Sequence, residues 1–221
     1  MMPDETATPP AEHVYLDHGL ELLLRPLRAD DKRRVALAFE RLSPETRYRR
    51  FFAPLETLSE RDLRYLTEVD HHDHEAIAAV NPENGMIVGV ARYVRSDDPT
   101  EAEVAAVVGD PWKGRGVATA LLQRLVRRAR EEGIDHFVAL VMSDNTDALE
   151  LFRHLASGSS STRRSASGHT ELVMALPEPD RIGESTLGRA LRAAAAGLRI
   201  SPWSVLRDRI GRRPRDNRPT R

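Results

Sequence analysis

The segment 103–119 constrains the fold of this chain more than any other. Alternating apolar residues up to Val108 predict a β-strand that ends at a Gly-Asp-Pro turn, and an amphipathic helix begins at Val117. Between them, Gly114 and Gly116 allow the backbone to approach an anion closely. The N–H groups and the positive dipole end of the helix would face the same anion. The order strand, glycine loop and helix therefore predicts a site for a pyrophosphate.

The glycine spacing separates this loop from two other phosphate-binding loops. It has neither the Gly-x-Gly-x-x-Gly spacing of dinucleotide-binding folds nor a following Gly-Lys-Ser/Thr. Residues 113–118, Lys-Gly-Arg-Gly-Val-Ala, resemble motif A of the Gcn5-related N-acetyltransferase (GNAT) superfamily, Gln/Arg-x-x-Gly-x-Gly/Ala. Gly133, a strand at 137–141 and Asn145 before a helix follow in the superfamily's order. The resemblance covers residues 75–176 and implies an α/β (α+β) GNAT fold, a mixed and mostly antiparallel sheet flanked by helices.

A second resemblance lies in the N-terminal half. Residues 41–52, Arg-Leu-Ser-Pro-Glu-Thr-Arg-Tyr-Arg-Arg-Phe-Phe, are followed by Leu-Ser at 58–59 and Val-Asp at 69–70. This series is similar to the catalytic domain of bacterial Pat-type protein lysine acetyltransferases. The resemblance implies an acetyltransferase domain without the regulatory domains of some such enzymes.

Apolar periodicity and turn residues predict the remaining elements. They are a hairpin at 14–24, a helix at 29–42, helices after the capping residues Ser43 and Ser59, and strands at 75–80, 86–94 and 101–108. The helix after Ser43 would carry Arg47, Arg49 and Arg50 either into solvent or along an acceptor cleft. The helix at 117–132 would turn four arginines outward: Arg124, Arg127, Arg128 and Arg130. The serine-rich stretch 157–168 predicts a short, mobile strand or loop.

Composition divides the chain into three segments. Residues 1–12 predict a disordered tail, 13–178 the GNAT domain, and 179–221 a basic, partly helical extension. The net charge is only −1, yet residues 181–221 hold eleven arginines against three acidic residues. Two apolar stripes in this extension are expected to pack on the domain or on a second subunit, which would make a homodimer.

Several classes of protein are excluded or disfavoured. The chain has no cysteine, which rules out disulfides and thiolate chemistry. It shows no leader and no apolar run of the length of a membrane span, which predicts a cytoplasmic protein. His71, His72, Asp73 and His74 are adjacent in a predicted loop and could not all face one ion, so no metal is expected.

Transfer of an acetyl group to an amine requires a base. An amine of pKa about 10.4 is mostly protonated at neutral pH, so a group in the site must accept its proton before it attacks a thioester. A carboxylate on an apolar strand suits this role, since burial raises its pKa toward neutrality. Glu103 is such a residue, and the resemblance places the catalytic glutamate there. Glu101 would share its face of the strand and is the alternative.

The resemblance also implies which residues hold acetyl-CoA, the expected co-substrate. A backbone N–H of Val107 or Val108 would stabilise the developing oxyanion, and Lys113 would present a point charge to phosphate. Phe152 stands where many relatives have a tyrosine acid, which leaves Ser143 or water as the acid. The residues expected to bind acetyl-CoA are Val107, Val108, Lys113, Gly114, Arg115, Gly116, Val117, Ala118, Thr119 and Asn145.

These features predict an acetyl-CoA-dependent N-acetyltransferase whose leading acceptor is a protein lysine. A small amine, such as a polyamine or an aminoglycoside, is the alternative acceptor. A CoA-binding sensor that has lost turnover is favoured by Phe152 and Lys113 and opposed by Glu103. Nucleic acid is not the expected partner, although the basic extension leaves it as a third interpretation, which strongly salt-dependent binding would support.

Overall fold

The structure is a computed structural model that describes residues 10–16, 19–146, 148–149, 152, 160–164 and 168–177. The described strands are β1 (Glu12–Leu16), β2 (Leu20–Pro26), β3 (His74–Val80), β4 (Ile87–Arg95), β5 (Glu101–Val108), β6 (His136–Met142), β7 (Ser160–Arg164) and β8 (His169–Ala175). The helices with described bounds are α1 (Lys32–Glu40), α2 (Pro44–Phe51), α3 (Glu60–Thr67) and α4 (Val117–Glu131). Two 3₁₀ turns, Ala29–Asp31 and Asp110–Trp112, come before α1 and α4.

The strands form one sheet in the order β1-β2-β3-β4-β5-β6-β8-β7. Strands β5 and β6 are parallel, and the other neighbouring pairs are antiparallel. Helix α4 makes the crossover between β5 and β6, because parallel neighbours cannot be joined by a tight turn. The mixed, mostly antiparallel sheet flanked by helices is therefore confirmed.

Hydrophobic packing covers both faces of the sheet. On one face, Leu121, Leu122 and Leu125 of α4 are fully buried against alternate residues of β5 such as Val104. Helices α1, α2 and α3 cover part of the other face, where Phe39 is buried near Val107. Because side chains alternate along a strand, the odd-numbered residues of β5 face the α1–α3 side.

Serine caps start α2 and α3 as predicted. The Ser43 hydroxyl accepts a hydrogen bond from the Thr46 N–H at 3.2 Å. The Ser59 hydroxyl accepts one from the Asp62 N–H, and the Asp62 carboxylate accepts the Ser59 N–H in return. These contacts fix the directions of both helices on the sheet.

The helix predicted at 29–42 begins as predicted but starts with a 3₁₀ turn and ends two residues early. Residues Ala29–Asp31 form a 3₁₀ turn, and the α-helix covers only Lys32–Glu40. The Asp31 carboxylate accepts the backbone N–H of Arg28 at 3.0 Å. The Asp31 N–H also donates to the Arg28 carbonyl at 3.0 Å, the i→i+3 bond of a 3₁₀ turn, which is common at helix ends.

The buried carboxylate of Asp31 makes the stability of the fold pH-dependent. It accepts two hydrogen bonds from Arg25, at 2.6 and 2.7 Å. Burial raises the pKa of Asp31, but the hydrogen bonds from Arg25 and from the Arg28 N–H outweigh it and lower the pKa to about 2. A lowered pKa in the folded state gives stability that is present above about pH 4 and lost as the pH falls toward 2.

We expect Asp31→Asn to lower the free energy of unfolding at pH 7 by about 3 kcal/mol, because Arg25 would keep a largely buried charge without its partner. The variant should also lose less stability than the wild type between pH 4 and pH 2. Denaturant unfolding across this range measures both effects. Asp30→Asn is the control, since Asp30 is exposed and one residue away; an equal loss in this variant would refute the assignment.

One arginine that was predicted to face solvent from α4 is buried. Arg128 is 8% exposed, and its Nε lies 3.3 Å from Oε2 of the fully buried Glu75. It also donates to Glu132 at 2.6 Å. Arg127, in contrast, is half-buried and pairs with Glu12 of β1 at 3.2 Å. Arg128 therefore links α4 to β3, and the prediction for this residue is wrong.

Parts of the predicted domain organisation lie outside the described residues. These are the extension at 179–221 and the predicted tail before residue 10. The predicted domain boundaries stay predictions. Of the serine-rich stretch, residues Ser160–Arg164 form β7, antiparallel to β8. Within the described ranges no helix is long and apolar enough to span a membrane.

Candidate active site

The predicted phosphate loop joins β5 to α4. Gly114 and Gly116 have φ angles of +73° and +81°, in the left-handed region that favours glycine. Gly116 is the N-cap of α4, whose buried first turn begins at Val117. The first turn of a helix has N–H groups without helical acceptors. Gly116 itself is buried, and among the described residues a Cβ built there would meet Cδ2 of Leu16 at 3.9 Å.

The remaining predicted loop residues lie in two environments. Arg115 is exposed, with its guanidinium 5.7 Å from the centre of the Trp112 ring. Ala118 and Thr119 are buried in the first turn of α4. The side chain of Arg115 is thus held at the rim of the loop, while Ala118 and Thr119 anchor the helix on the sheet.

Asp110 links the phosphate loop to the start of α2. Its carboxylate accepts hydrogen bonds from the Ser43 N–H at 2.8 Å, the Thr46 hydroxyl at 2.7 Å and the Lys113 ammonium. Burial raises the pKa of Asp110, but these hydrogen bonds, with that from Lys113 the strongest, hold it well below its usual range. The carboxylate is therefore ionised at neutral pH and ties the loop to the α1–α3 side.

This network gives Lys113 contacts that were not predicted. The ammonium also donates to Oγ1 of Thr46 at 2.8 Å, and the side chain is 13% exposed. Lys113 thus helps to shape the loop, and its contact with phosphate stays a prediction. The role of Asp110 was not predicted from the sequence, because Gly-Asp-Pro by itself indicates only a turn. Ser43 was interpreted only as a helix cap.

Replacing Lys113 tests this network. We expect Lys113→Gln to lower the free energy of unfolding by about 1 kcal/mol, the cost of losing a charge-assisted hydrogen bond to a half-buried carboxylate. Acetyl-CoA affinity should fall by roughly tenfold as the loop loosens. Calorimetry and denaturant unfolding measure the two effects. Lys32→Gln, at the other lysine of the chain, is the control because Lys32 pairs with exposed Glu68; similar effects from both variants would contradict the assignment.

Strands β5 and β6 separate beside the loop. Their pairing ends at Glu103 and Val138, although β5 continues to Val108. The Gly109 N–H donates to β4, and backbone groups alternate along an antiparallel ladder. The backbone N–H of Val107 must then point toward β4, whereas the N–H of Val108 points toward the gap between β5 and β6. We call this gap between β5 and β6 the wedge. Of the two predicted oxyanion donors, only the N–H of Val108 points into it. The N–H of Ala106 points the same way and is a further candidate.

Glu103 lies at the point where the wedge opens. It is half-buried on the α1–α3 side, opposite Val94 of β4 and Val138 of β6. Glu101 lies on the same face two residues earlier, where the Ser96 hydroxyl donates to its backbone oxygen at 3.2 Å. The structure thus brings the carboxylate of Glu103 and the N–H groups of the wedge to one opening.

The residues beyond β6 have mainly structural contacts. Asn145 Oδ1 accepts the Ala148 N–H at 3.3 Å, as a helix cap does. Phe152 is fully buried in the core under α4, and Ser143 shares a hydrogen bond of 2.8 Å with Thr170. Phe152 has no hydroxyl, so this position supplies no acid.

The three arginines of α2 differ in their surroundings. Arg47 lies over the Phe39 ring at 4.8 Å, and Arg49 pairs with Glu45 at 2.6 Å. Arg50 is 4% exposed. The interpretation that these arginines form a solvated helix face is therefore wrong for Arg50.

The adjacent histidines contact different partners. His71 lies 2.8 Å from Glu75, and His72 contacts Glu132. His74 begins β3 and accepts a hydrogen bond from Arg92. In the part of the chain that the structure describes, no group of three or more such side chains is placed to hold a metal ion.

A sheet with a parallel pair that opens beside a glycine loop and a helix N-terminus defines an acetyltransferase of the GNAT class. Comparison with known proteins gives the same class. A sequence profile of the acetyltransferase (GNAT) family matches residues 38–156, more than half of the chain. The chain therefore belongs to this family.

Two bacterial acetyltransferases are similar to this chain in sequence. The chain is 33% identical over 120 residues to an acetyltransferase of Pseudomonas aeruginosa, which covers 53% of this chain and 64% of that protein. It is 37% identical over 136 residues to acetyltransferase Pat of Mycolicibacterium smegmatis, which covers 60% of this chain and 40% of that protein. It therefore spans less than two thirds of the length of both relatives.

A solved structure is similar over most of its length. The GNAT domain of S. lividans PAT has a TM-score of 0.68 and 34% identity, with 75% of this chain and 97% of that domain covered. The predicted resemblance to Pat-type catalytic domains is thereby confirmed.

Proposed function

We propose that this protein transfers the acetyl group of acetyl-CoA to the side-chain amine of a protein lysine. The observation that carries the proposal is the position of Glu103 at the opening of the wedge, next to a loop built for phosphate. Similarity to Pat of Mycolicibacterium smegmatis and to the GNAT domain of S. lividans PAT supports a protein lysine as the acceptor.

The described residues fit acetyl-CoA. Gly114 and Gly116 have the left-handed backbone that lets N–H groups converge on a pyrophosphate. The unpaired edge of β5 in the wedge would bind the amides of the pantetheine arm. Acetyl-CoA supplies an activated acyl group, the thioester.

The chain's own groups then carry the proton and the charge. Glu103 would accept the proton of the lysine ammonium, directly or through a water molecule. The N–H of Ala106 or of Val108 would donate to the oxygen that gains negative charge. The leaving group is the thiol of CoA, and a thiol of pKa about 8.5 leaves without a dedicated acid. The mechanism therefore does not need a hydroxyl at the position of Phe152.

An acceptor screen tests the proposal. Radiolabelled acetyl-CoA would be incubated with the protein and, in separate reactions, with lysine-containing proteins, polyamines and aminoglycosides. Label transferred to protein lysines, and lost with Glu103→Gln, is the expected result. Transfer only to small amines would select the alternative acceptor, and saturable acetyl-CoA binding without transfer to any acceptor would select the sensor.

A further inference from the structure

Two aromatic rings from distant parts of the chain meet beside the wedge. Phe52 is the C-cap of α2 and His169 is the first residue of β8, and their ring centres lie 4.6 Å apart with an angle of 85° between the ring planes. Leu172 and Met174 of β8 are buried in the core under α4, so His169 faces the α1–α3 side by alternation along the strand. We call this edge-to-face contact, a favoured geometry for aromatic pairs, the aromatic bridge.

The aromatic bridge crosses the wedge. Phe51, the residue before Phe52, is buried in a cluster that packs on Val107 of β5. His169 pairs with Met142 of β6, and β6 lies between β5 and β8 in the sheet. Because Phe51 is anchored over β5 and the next residue contacts β8, the contact passes over the gap between β5 and β6.

The aromatic bridge lies at the level of the candidate oxyanion donors. Val107 and Met142, over which it passes, come four residues after the last paired residues of β5 and β6. The N–H groups of Ala106 and Val108, which point into the wedge, come immediately before and after Val107 along the strand. A thioester held by either N–H would therefore lie under the aromatic bridge, whereas Glu103 lies where the wedge begins.

Backbone contacts fix both ends of the aromatic bridge. Phe52 has φ +49° and ψ +23°, a left-handed conformation that favours glycine and strains a residue with a Cβ. Its N–H donates to the Tyr48 carbonyl at 2.6 Å and ends α2. At the other end, the Ser143 N–H after β6 donates to the Gly168 carbonyl at 3.0 Å, next to His169. The two rings are therefore held in place from opposite sides of the wedge.

We propose that the aromatic bridge selects the acetyl acceptor, because it covers the thioester and admits only an unbranched primary amine from the side of Glu103. This inference rests on the proposed function. Helix α4, whose N-terminus would bind the pyrophosphate, lies on the other face of the sheet, so the acceptor reaches the wedge from the face that carries Glu103 and the bridge. An amine that passes under the rings meets Glu103 before it meets the thioester.

The shape of a lysine side chain fits this route. Lysine carries its ammonium on a flexible four-carbon stem without branches. The half-buried side chains of Leu140 and Met142 lie on the same side of β6 as the route and would contact this stem. A branch on the carbon that bears the amine would meet Phe52 or His169. These two residues are thus specificity-determining residues and exchange no proton.

Paired acceptors that differ by one branch test the proposal. One peptide contains a lysine, and the other is the same peptide with a methyl group added to the carbon that bears the amine. Butylamine and sec-butylamine are the corresponding pair of small amines. We expect the wild type to prefer the unbranched member by at least about tenfold in kcat/KM, the effect of one carbon group in a shaped pocket. A preference below about twofold in both pairs would overturn the proposal.

Variants assign the preference to the aromatic bridge. Phe52→Gly removes one ring and suits the left-handed backbone, and His169→Ala removes the other ring. Each should lower the preference for the unbranched acceptor to about twofold or less, with acetyl-CoA affinity by calorimetry unchanged. Tyr15→Ala is the control, because Tyr15 is a 74% exposed aromatic residue on β1, at the far edge of the sheet; its preference should equal that of the wild type.

The ratio of the two rates distinguishes selection from a structural role. A merely structural role of the rings would lower kcat/KM for both acceptors by the same factor, and an unchanged ratio in folded Phe52→Gly and His169→Ala would overturn the proposal. Loss of the preference in Tyr15→Ala as well would also overturn it. Transfer by the wild type to no amine would refute the proposed function and this inference together. If Phe52→Gly does not fold, His169→Ala and the wild type still decide.

Discussion

Gly116→Val is expected to abolish acetyl-CoA binding while the domain stays folded. Gly116 has a φ of +81°, where a β-branched residue is strained, and it forms the N-cap of α4. Relief of this strain would turn the loop N–H groups away from the pyrophosphate. The cost to folding is about 1–2 kcal/mol, that of a left-handed residue, since among the described residues the nearest atom to a Cβ is Cδ2 of Leu16 at 3.9 Å. Calorimetry with acetyl-CoA measures the loss.

Gly85→Val is the matched control for this substitution. Gly85 has a φ of +67° in the turn between β3 and β4, and no atom of the described residues lies within 4 Å of a Cβ built there. It imposes similar backbone strain far from the loop, so acetyl-CoA affinity should be unchanged. The assignment of the phosphate loop would be refuted if Gly116→Val bound acetyl-CoA with wild-type affinity. It would also be refuted if both variants lost acetyl-CoA affinity equally.

Glu103→Gln is expected to lower kcat by roughly 10²-fold or more with little change in acetyl-CoA affinity. The amide keeps the size of the side chain but cannot accept the proton of the ammonium. Activity should recover partly at high pH, where the amine loses its proton without help. Steady-state kinetics from pH 7 to pH 10, together with calorimetry, would separate catalysis from binding.

Glu101→Gln provides the comparison for the base. Glu101 lies on the same face of β5, at the start of the strand, where β5 and β6 are still paired. Its replacement should leave kcat within about twofold, because the carboxylate lies before the opening of the wedge. A wild-type kcat in Glu103→Gln with a large loss in Glu101→Gln would exchange the two roles.

Local sequence patterns predicted much of the fold because the forces concerned are local. Ser43 and Ser59 cap the helices that follow them, and their hydroxyls bond to N–H groups three residues away. The bounds of β5 and of α4 followed from apolar periods of two and of 3.6 residues. The helix predicted at 29–42 forms over residues 29–40, and the apolar period did not separate its 3₁₀ first turn from the α-helix.

Local sequence patterns could not predict charged contacts between segments that are far apart in the chain. Arg128 sits among arginines of α4 and has the spacing of a solvated face, yet it pairs with Glu75, 53 positions earlier. The bonds of Lys113 to Asp110 and Thr46 were not predicted either. Thr46 is 67 positions before Lys113, and no periodicity encodes a contact at that range.

The sequence by itself determined the order of strand, glycine loop and helix. This order follows from backbone preferences and side-chain alternation within single elements. The choice of Glu103 as the base also used the family resemblance, and it stays a prediction. The tertiary structure decided where β5 and β6 part, which N–H groups face the wedge, and that Phe52 and His169 meet across it. Each of these depends on how elements far apart in the chain pack together, because burial and charge pairing are set by the neighbours that folding brings into contact.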